Sequence, residues 1–168
     1  LNRFDPDTQQ FHRYRHSPND PHSLSSDSVL AVHQDREGTL WVGTEAGLNR
    51  LNADMETFTH YQHNPEDENS LSGNVVQAIY QDLEGNLWVG TDDGLNRFDP
   101  QTEQFTRYQS TPYHPGNLSN NIVNAIYQDR QGTLWIGTDW GLNRYDPVRD
   151  RFTRYINNPL DPDSCVFR

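Results

Sequence analysis

Apolar and polar positions alternate along this chain in short runs that return at a fixed interval, with no amphipathic run long enough for a helical repeat. The stretch from Tyr80 to Pro100, YQDLEGNLWVGTDDGLNRFDP, shows the unit most clearly. Residues 75–81 (VVQAIYQ) are apolar and β-branched and predict a first strand covered on both faces. Asp82-Leu83-Glu84-Gly85 predicts a tight turn, in which the carboxylate accepts backbone N–H groups and Gly supplies positive φ. Residues 86–91 (NLWVGT), 94–98 and 105–109 (FTRYQ) predict the second, third and fourth strands, with Asp99-Pro100-Gln101-Thr102 turning the last hairpin. Trp41, Trp88 and Trp135 are spaced at 47 residues, and Leu-Asn-Arg recurs at the same step from Leu1, Leu48, Leu95 and Leu142. A period between about 40 and 50 built from several short strands predicts the blades of an all-β propeller.

The register divides the chain into a half blade at 1–15, blades at 28–62, 75–109 and 122–156, and a tail at 157–168. The connectors are polar crossovers with a proline at the same place in each, at 18, 65, 112 and 159. The tail follows the crossover pattern until Cys165 stands in the column of Leu24, Leu71 and Leu118. The expected architecture is therefore a β-propeller segment of about three and a half four-stranded antiparallel blades, with 14 strands. Such a segment cannot close a ring alone, so its open faces call for further blades of a parent chain or for homo-oligomerisation. Leu1 enters in mid-repeat and is not Met, from which we expect the chain to be a piece of a longer polypeptide.

Composition changes this picture only at one point. A hydrophobic content of 32% would suit a disordered segment, but the 11% aromatic residues fall at periodic positions. Each buried Trp takes ~150–250 Å² out of water, an upper bound of about 4–6 kcal/mol at ~25 cal/mol/Å². The net charge of −11, with arginines scattered about one per strand, disfavours nucleic acid and anionic membrane as partners. Cys165 is the single cysteine, so no intrachain disulfide forms, and no run of 18 apolar residues exists.

Polar residues present in every copy read as structural: Asp35, Asp82 and Asp129 as turn caps, and Asn49, Asn96, Asn143, Arg50, Arg97 and Arg144 as inter-blade hydrogen-bonding groups ahead of the alternative, substrate binding. The positions where copies differ carry more information. Glu45-Ala46, Asp92-Asp93 and Asp139-Trp140 occupy the turn between second and third strands, on the face that carries the crossovers. Trp140 stands where the other copies have Ala46 and Asp93, so it is read either as a binding-surface residue or as packing on a next blade. The acidic ring of Glu45, Asp92, Asp93 and Asp139 is either a cation or carbohydrate site or a solvated rim. The seven histidines have no zinc-ligand spacing, the acidic run 64–69 lacks a calcium loop, and Cys165 has no neighbouring His. No metal, cofactor or catalytic residue is expected.

The run Asp-x-x-Gly-x-Leu-Trp-(Val/Ile)-Gly-Thr followed by Gly-Leu-Asn-Arg, present at 35–50, 82–97 and 129–144, resembles the two-component regulator propeller repeat. That family builds the extracytoplasmic sensing region of many bacterial hybrid histidine kinases. The resemblance implies a non-catalytic recognition module in the periplasm or outside the cell, binding a small molecule, a carbohydrate or another protein. Two other readings stay open: a structural, self-assembling propeller or filament component, and a propeller lyase or hydrolase.

Overall fold

The computed structural model describes residues 1–158 and 161–167, with side chains up to residue 156. No helix occurs among the described residues, and none is long and apolar enough to cross a membrane. Strands β1 (Asn2–Asp5) and β2 (Gln10–Arg13) form a two-stranded half blade. Blade one comprises β3 (Val29–Gln34), β4 (Leu40–Thr44), β5 (Gly47–Leu51) and β6 (Phe58–Tyr61). Blade two comprises β7 (Val76–Gln81), β8 (Leu87–Thr91), β9 (Gly94–Asp99) and β10 (Gln104–Tyr108). Blade three comprises β11 (Val123–Gln128), β12 (Leu134–Thr138), β13 (Gly141–Asp146) and β14 (Arg151–Asn158), extended by β15 (Asp161–Phe167). Every sheet is an antiparallel meander in chain order, as the propeller pattern predicts.

The core lies between blades. Trp41, Leu48 and Tyr61 on one face of blade one meet Leu71, Val76, Leu87, Val89, Phe98 and Phe105 of blade two and the crossover before it. The same set one period on, Trp88, Leu95 and Tyr108, meets Leu118, Val123, Leu134, Ile136, Tyr145 and Phe152. Close approach at this interface needs glycine. A Cβ on Gly43 would stand 2.6 Å from Val76 Cγ1 and 2.8 Å from its carbonyl oxygen, and one on Gly90 would stand 2.6 Å from Val123 Cγ1.

Two expectations need correction. The first strands are not covered on both faces: β7 is half-buried over most of its length, and β3 alternates between half-buried and exposed. Each is the end strand of its own sheet, and β7 lies between β3 and β11 of the neighbouring blades, with one edge that no strand of its own sheet covers. The tail does not run as a crossover: β14 continues to Asn158 and β15 returns beside it, giving 15 strands among the described residues. Leu24, Leu71 and Leu118 are fully buried anchors of their crossovers. The tail lacks that leucine, while β14 offers an unpaired edge.

The turn carboxylates give this fold an acid limit. Hydrogen bonds from the Thr8 side chain to Asp5, the Thr57 side chain to Asp54, the Gln101 backbone to Asp99, the Trp135 indole to Asp129 and the Arg149 side chain to Asp146 hold these groups below their ordinary value of 3.8. Burial likewise depresses His33 below 6.5, partly opposed by Asp35, and its Nε2 is buried without a partner. Both kinds of group are depressed, so their contribution is present above the unfolded value and lost as pH falls through the folded one. The melting temperature is expected to decline first below 6.5, through His33, and again below 3.8, through the aspartates. His33→Tyr, matching Tyr80 and Tyr127, is expected to remove the first decline alone; an unchanged pH–stability curve for that variant would refute the assignment.

Candidate functional site

The motif residues are structural, in more ways than turn chemistry alone predicts. Asp35 accepts the Thr39 N–H at 2.7 Å and the Trp41 indole N–H at 2.8 Å. Asp82 does the same with Asn86 and Trp88, at 2.8 and 2.7 Å, and Asp129 with Thr133 and Trp135, at 2.9 and 2.8 Å. One carboxylate thus closes the turn and orients the large core ring. Asn49, Asn96 and Asn143 are fully buried, but they do not bridge blades as expected. Each accepts a backbone N–H from the crossover entering its own blade (Ser25, Ser72 and Ser119, all 2.9 Å) and donates to the second-strand carbonyl of Val42, Val89 or Ile136. Arg50 does bridge blades, through Glu103 at 2.7 Å, and lies over the Trp41 and Tyr61 rings.

The three variable turns are placed by glycines at positive φ, Gly47 (117°), Gly94 (134°) and Gly141 (125°), each directly after them. Glu45 is exposed on its turn. Asp92 accepts the Val75 N–H at 3.2 Å, and Asp93 accepts from Asn121 at 2.9 Å and Gln109 at 3.0 Å. Both aspartates therefore help tie blade two to its flanking segments. Asp139 accepts from Asn124 Nδ2 at 2.7 Å. The five acidic and aromatic candidates do not converge on one point. Only Asp139 and Trp140 line a common groove, while Asp93 reaches its wall through Asn121.

That groove, about 920 Å³, lies between the crossover 110–121, the Asp139-Trp140 turn and the end of β14. Trp140 is 69% exposed beside it. Tyr113, fully exposed, stands on the crossover side together with Asn120 and Asn121. Arg154 crosses the floor and donates from Nε to the Asn117 carbonyl and from Nη2 to that of His114, both at 2.8 Å. Burial pulls its guanidinium below the usual arginine value. The groove thus combines two aromatic faces with a carboxylate, amides and a guanidinium. Among the described residues, no three His, Cys, Asp or Glu side chains are placed to hold a metal ion. The Cys165 side chain lies outside the described residues.

Residues 23–46, 70–93 and 117–140 each match the family described as two component regulator propeller. These three stretches carry the repeat of that family. Each match ends on Ala46, Asp93 or Trp140, so the regulator propeller pattern stops at the position where these blades diverge. Tyr113, Arg154 and Ile156 of the groove lie outside the matched stretches. Sequence reasoning passed over them, although Tyr113 replaces Asn19 and Glu66, and Ile156 replaces Gln62 and Gln109, in columns that signal a local change. Among solved structures, the chain resembles the extracellular domain of a protein assigned as a hybrid two-component system from B. thetaiotaomicron. The two share 27% identity at a TM-score of 0.63, over 91% of this chain and 27% of that one. It also resembles virginiamycin B lyase from Staphylococcus aureus at 14% identity and a TM-score of 0.63, over 94% of this chain and 49% of the lyase, a likeness of fold alone. No curated protein matches the sequence.

Proposed function

We propose that these regulator propeller blades form a non-catalytic recognition module, from the extracytoplasmic sensing region of a bacterial two-component signalling protein. In this reading a small polyhydroxylated ligand binds in the groove at Trp140, and the blades pass its arrival to the next domain. The exposed indole carries the proposal: a large aromatic stands in solvent where the other blades have Ala46 and Asp93. Its flat face suits the C–H face of a sugar ring, with Asp139 as acceptor and Asn120, Asn121 and Arg154 as polar partners for hydroxyls. Glu45, Asp92 and Asp93 then belong to an acidic rim outside the groove. The family of the repeats and the 27% identical extracellular domain support the sensing role.

The test is a tryptophan-fluorescence titration with a panel of neutral mono- and disaccharides. At least one sugar is expected to give a saturable change that Trp140→Ala weakens by about tenfold or more, the removal of about 1.4 kcal/mol of binding. The same variant is expected to melt within a few degrees of the parent, because its side chain is largely exposed. A silent panel, or a response that survives Trp140→Ala, would count against this site.

A further inference from the structure

Three columns of the repeat change together around the Trp140 turn, in segments far apart in sequence. Trp140 stands where the first two blades have Ala46 and Asp93, and Tyr113 where the first two crossovers have Asn19 and Glu66. The third change removes a strap. Gln62 donates from Nε2 to the Ala46 carbonyl at 2.9 Å and Gln109 to that of Asp93 at 2.8 Å, but the residue in their column after blade three is Ile156, which has no donor. Tyr113 is also the residue whose backbone suits its side chain least. Its φ is 66°, in the left-handed region that a bulky L side chain rarely adopts. Among the described residues the other non-glycine cases, Gln9, Met55, Glu103 and Asp150, lie in the turn before the last strand of their blades, and Asn19 and Glu66 are not among them. The crossover tip is held in this shape from both sides: Asn117 Nδ2 donates to Thr111 Oγ1 at 2.7 Å, and Arg154 donates to the His114 and Asn117 carbonyls. Yet the Tyr113 ring is fully exposed, so no packing offsets the strain. A strained residue that its surroundings enforce and its own contacts do not explain points to a functional role.

We propose that Tyr113 is the second platform of the Trp140 site and sets the length of its ligand, a chain of two or more sugar rings in place of a single one. This inference rests on the reading of Trp140 as a sugar-binding face. The two aromatic side chains belong to different walls of the groove, the crossover and the turn, so one pyranose ring stacks on one of them and a second ring is needed to meet the other. A volume of about 920 Å³, near the upper end of the ~300–1,000 Å³ of small-molecule sites, leaves room for both. Between the platforms, Asn120 spends its amide oxygen on the Ile122 N–H at 2.8 Å and keeps its amide nitrogen for a hydroxyl. A ring held on Trp140 presents the next one to Tyr113 at high effective concentration, so the second contact adds affinity as an intramolecular event.

Tryptophan-fluorescence titrations of the full chain test it, with glucose set against cellobiose and maltose, mannose against mannobiose, and xylose against xylobiose. At least one disaccharide is expected to bind tenfold or more tightly than its monosaccharide. Tyr113→Ala is expected to weaken that disaccharide to the level of the monosaccharide, whereas Trp140→Ala weakens both. Tyr113→Gly is expected to show the same loss and yet to melt no lower than the parent, because glycine takes a φ of 66° without strain. A disaccharide advantage that survives both Tyr113 variants while still requiring Trp140 would overturn this inference and leave the Trp140 reading standing. Equal affinities for one ring and for two would do the same. A Tyr113→Gly variant that melts well below the parent would make the ring a packing element and also overturn it. If no sugar gives a change that depends on Trp140, the site itself falls and this inference falls with it.

Discussion

Trp88→Ala is expected to destabilise the chain by about 3–5 kcal/mol, a large share of the ~5–15 kcal/mol that typically separates folded from unfolded states. The ring is 1% exposed and fills the interface between blades two and three, edge-on to Tyr145 at 5.1 Å and beside Tyr108 at 5.7 Å. Truncation would also take from Asp82 Oδ2 one of its two donors, leaving it only the Asn86 amide at 2.9 Å. The informative control is Trp135→Ala, one period on. It has the same bond to Asp129 and the same Tyr neighbour, but no blade packs over it among the described residues. Its cost in denaturant unfolding at a concentration where the chain is monomeric should therefore be well below that of Trp88→Ala. Equal losses at the two sites would mean that blade packing is not what Trp88 supplies.

Asn96→Ala should cost roughly 2–5 kcal/mol without removing any large apolar surface. Its side chain is fully buried, accepts the Ser72 N–H at 2.9 Å, and donates to the Ser72 hydroxyl at 2.8 Å and the Val89 carbonyl at 3.1 Å. Each partner stranded in the interior costs about 1–3 kcal/mol. Asn96→Asp keeps the shape but sets an acceptor against the Val89 carbonyl and buries a charge, so it should be at least as damaging. Near-parental stability of the aspartate variant in urea melts would sink this account.

Much of the fold is legible in the sequence because its determinants are local and repeated. The Asp–Gly turn, the Trp six residues after each Asp, and the alternation around them are short-range features that return at 47 residues. The buried asparagines were legible as structural, but not by partner: Asn96 bonds to Ser72, 24 residues earlier, a pairing that only the placement of the crossover decides. The tail shows the reverse limit. Its loss of the crossover leucine is visible, whereas pairing with β14 depends on an edge left open in three dimensions. At the candidate site, Trp140 stood out by breaking its column. Arg154 did not, because Arg107 occupies the same place and makes the same kind of bonds, to Ser70 and Asp67. What sets the groove apart is the company Arg154 keeps: a crossover and a turn distant in sequence, meeting at one end of the last blade.

The two inter-blade interfaces use the same columns, and this bears on how the chain's length can change. Removing residues 62–108, one period, would join Tyr61 directly to the crossover beginning at Gln109. Trp41, Leu48 and Tyr61 would then meet Val123, Leu134, Tyr145 and Phe152, a set already accepted by Trp88, Leu95 and Tyr108. Arg50 would face Asp150 in place of Glu103. An in-register duplication would create a junction of equal quality. Blade number in such an array is therefore free to drift by unequal exchange between its own repeats, each step leaving a foldable product with no new contact to be invented.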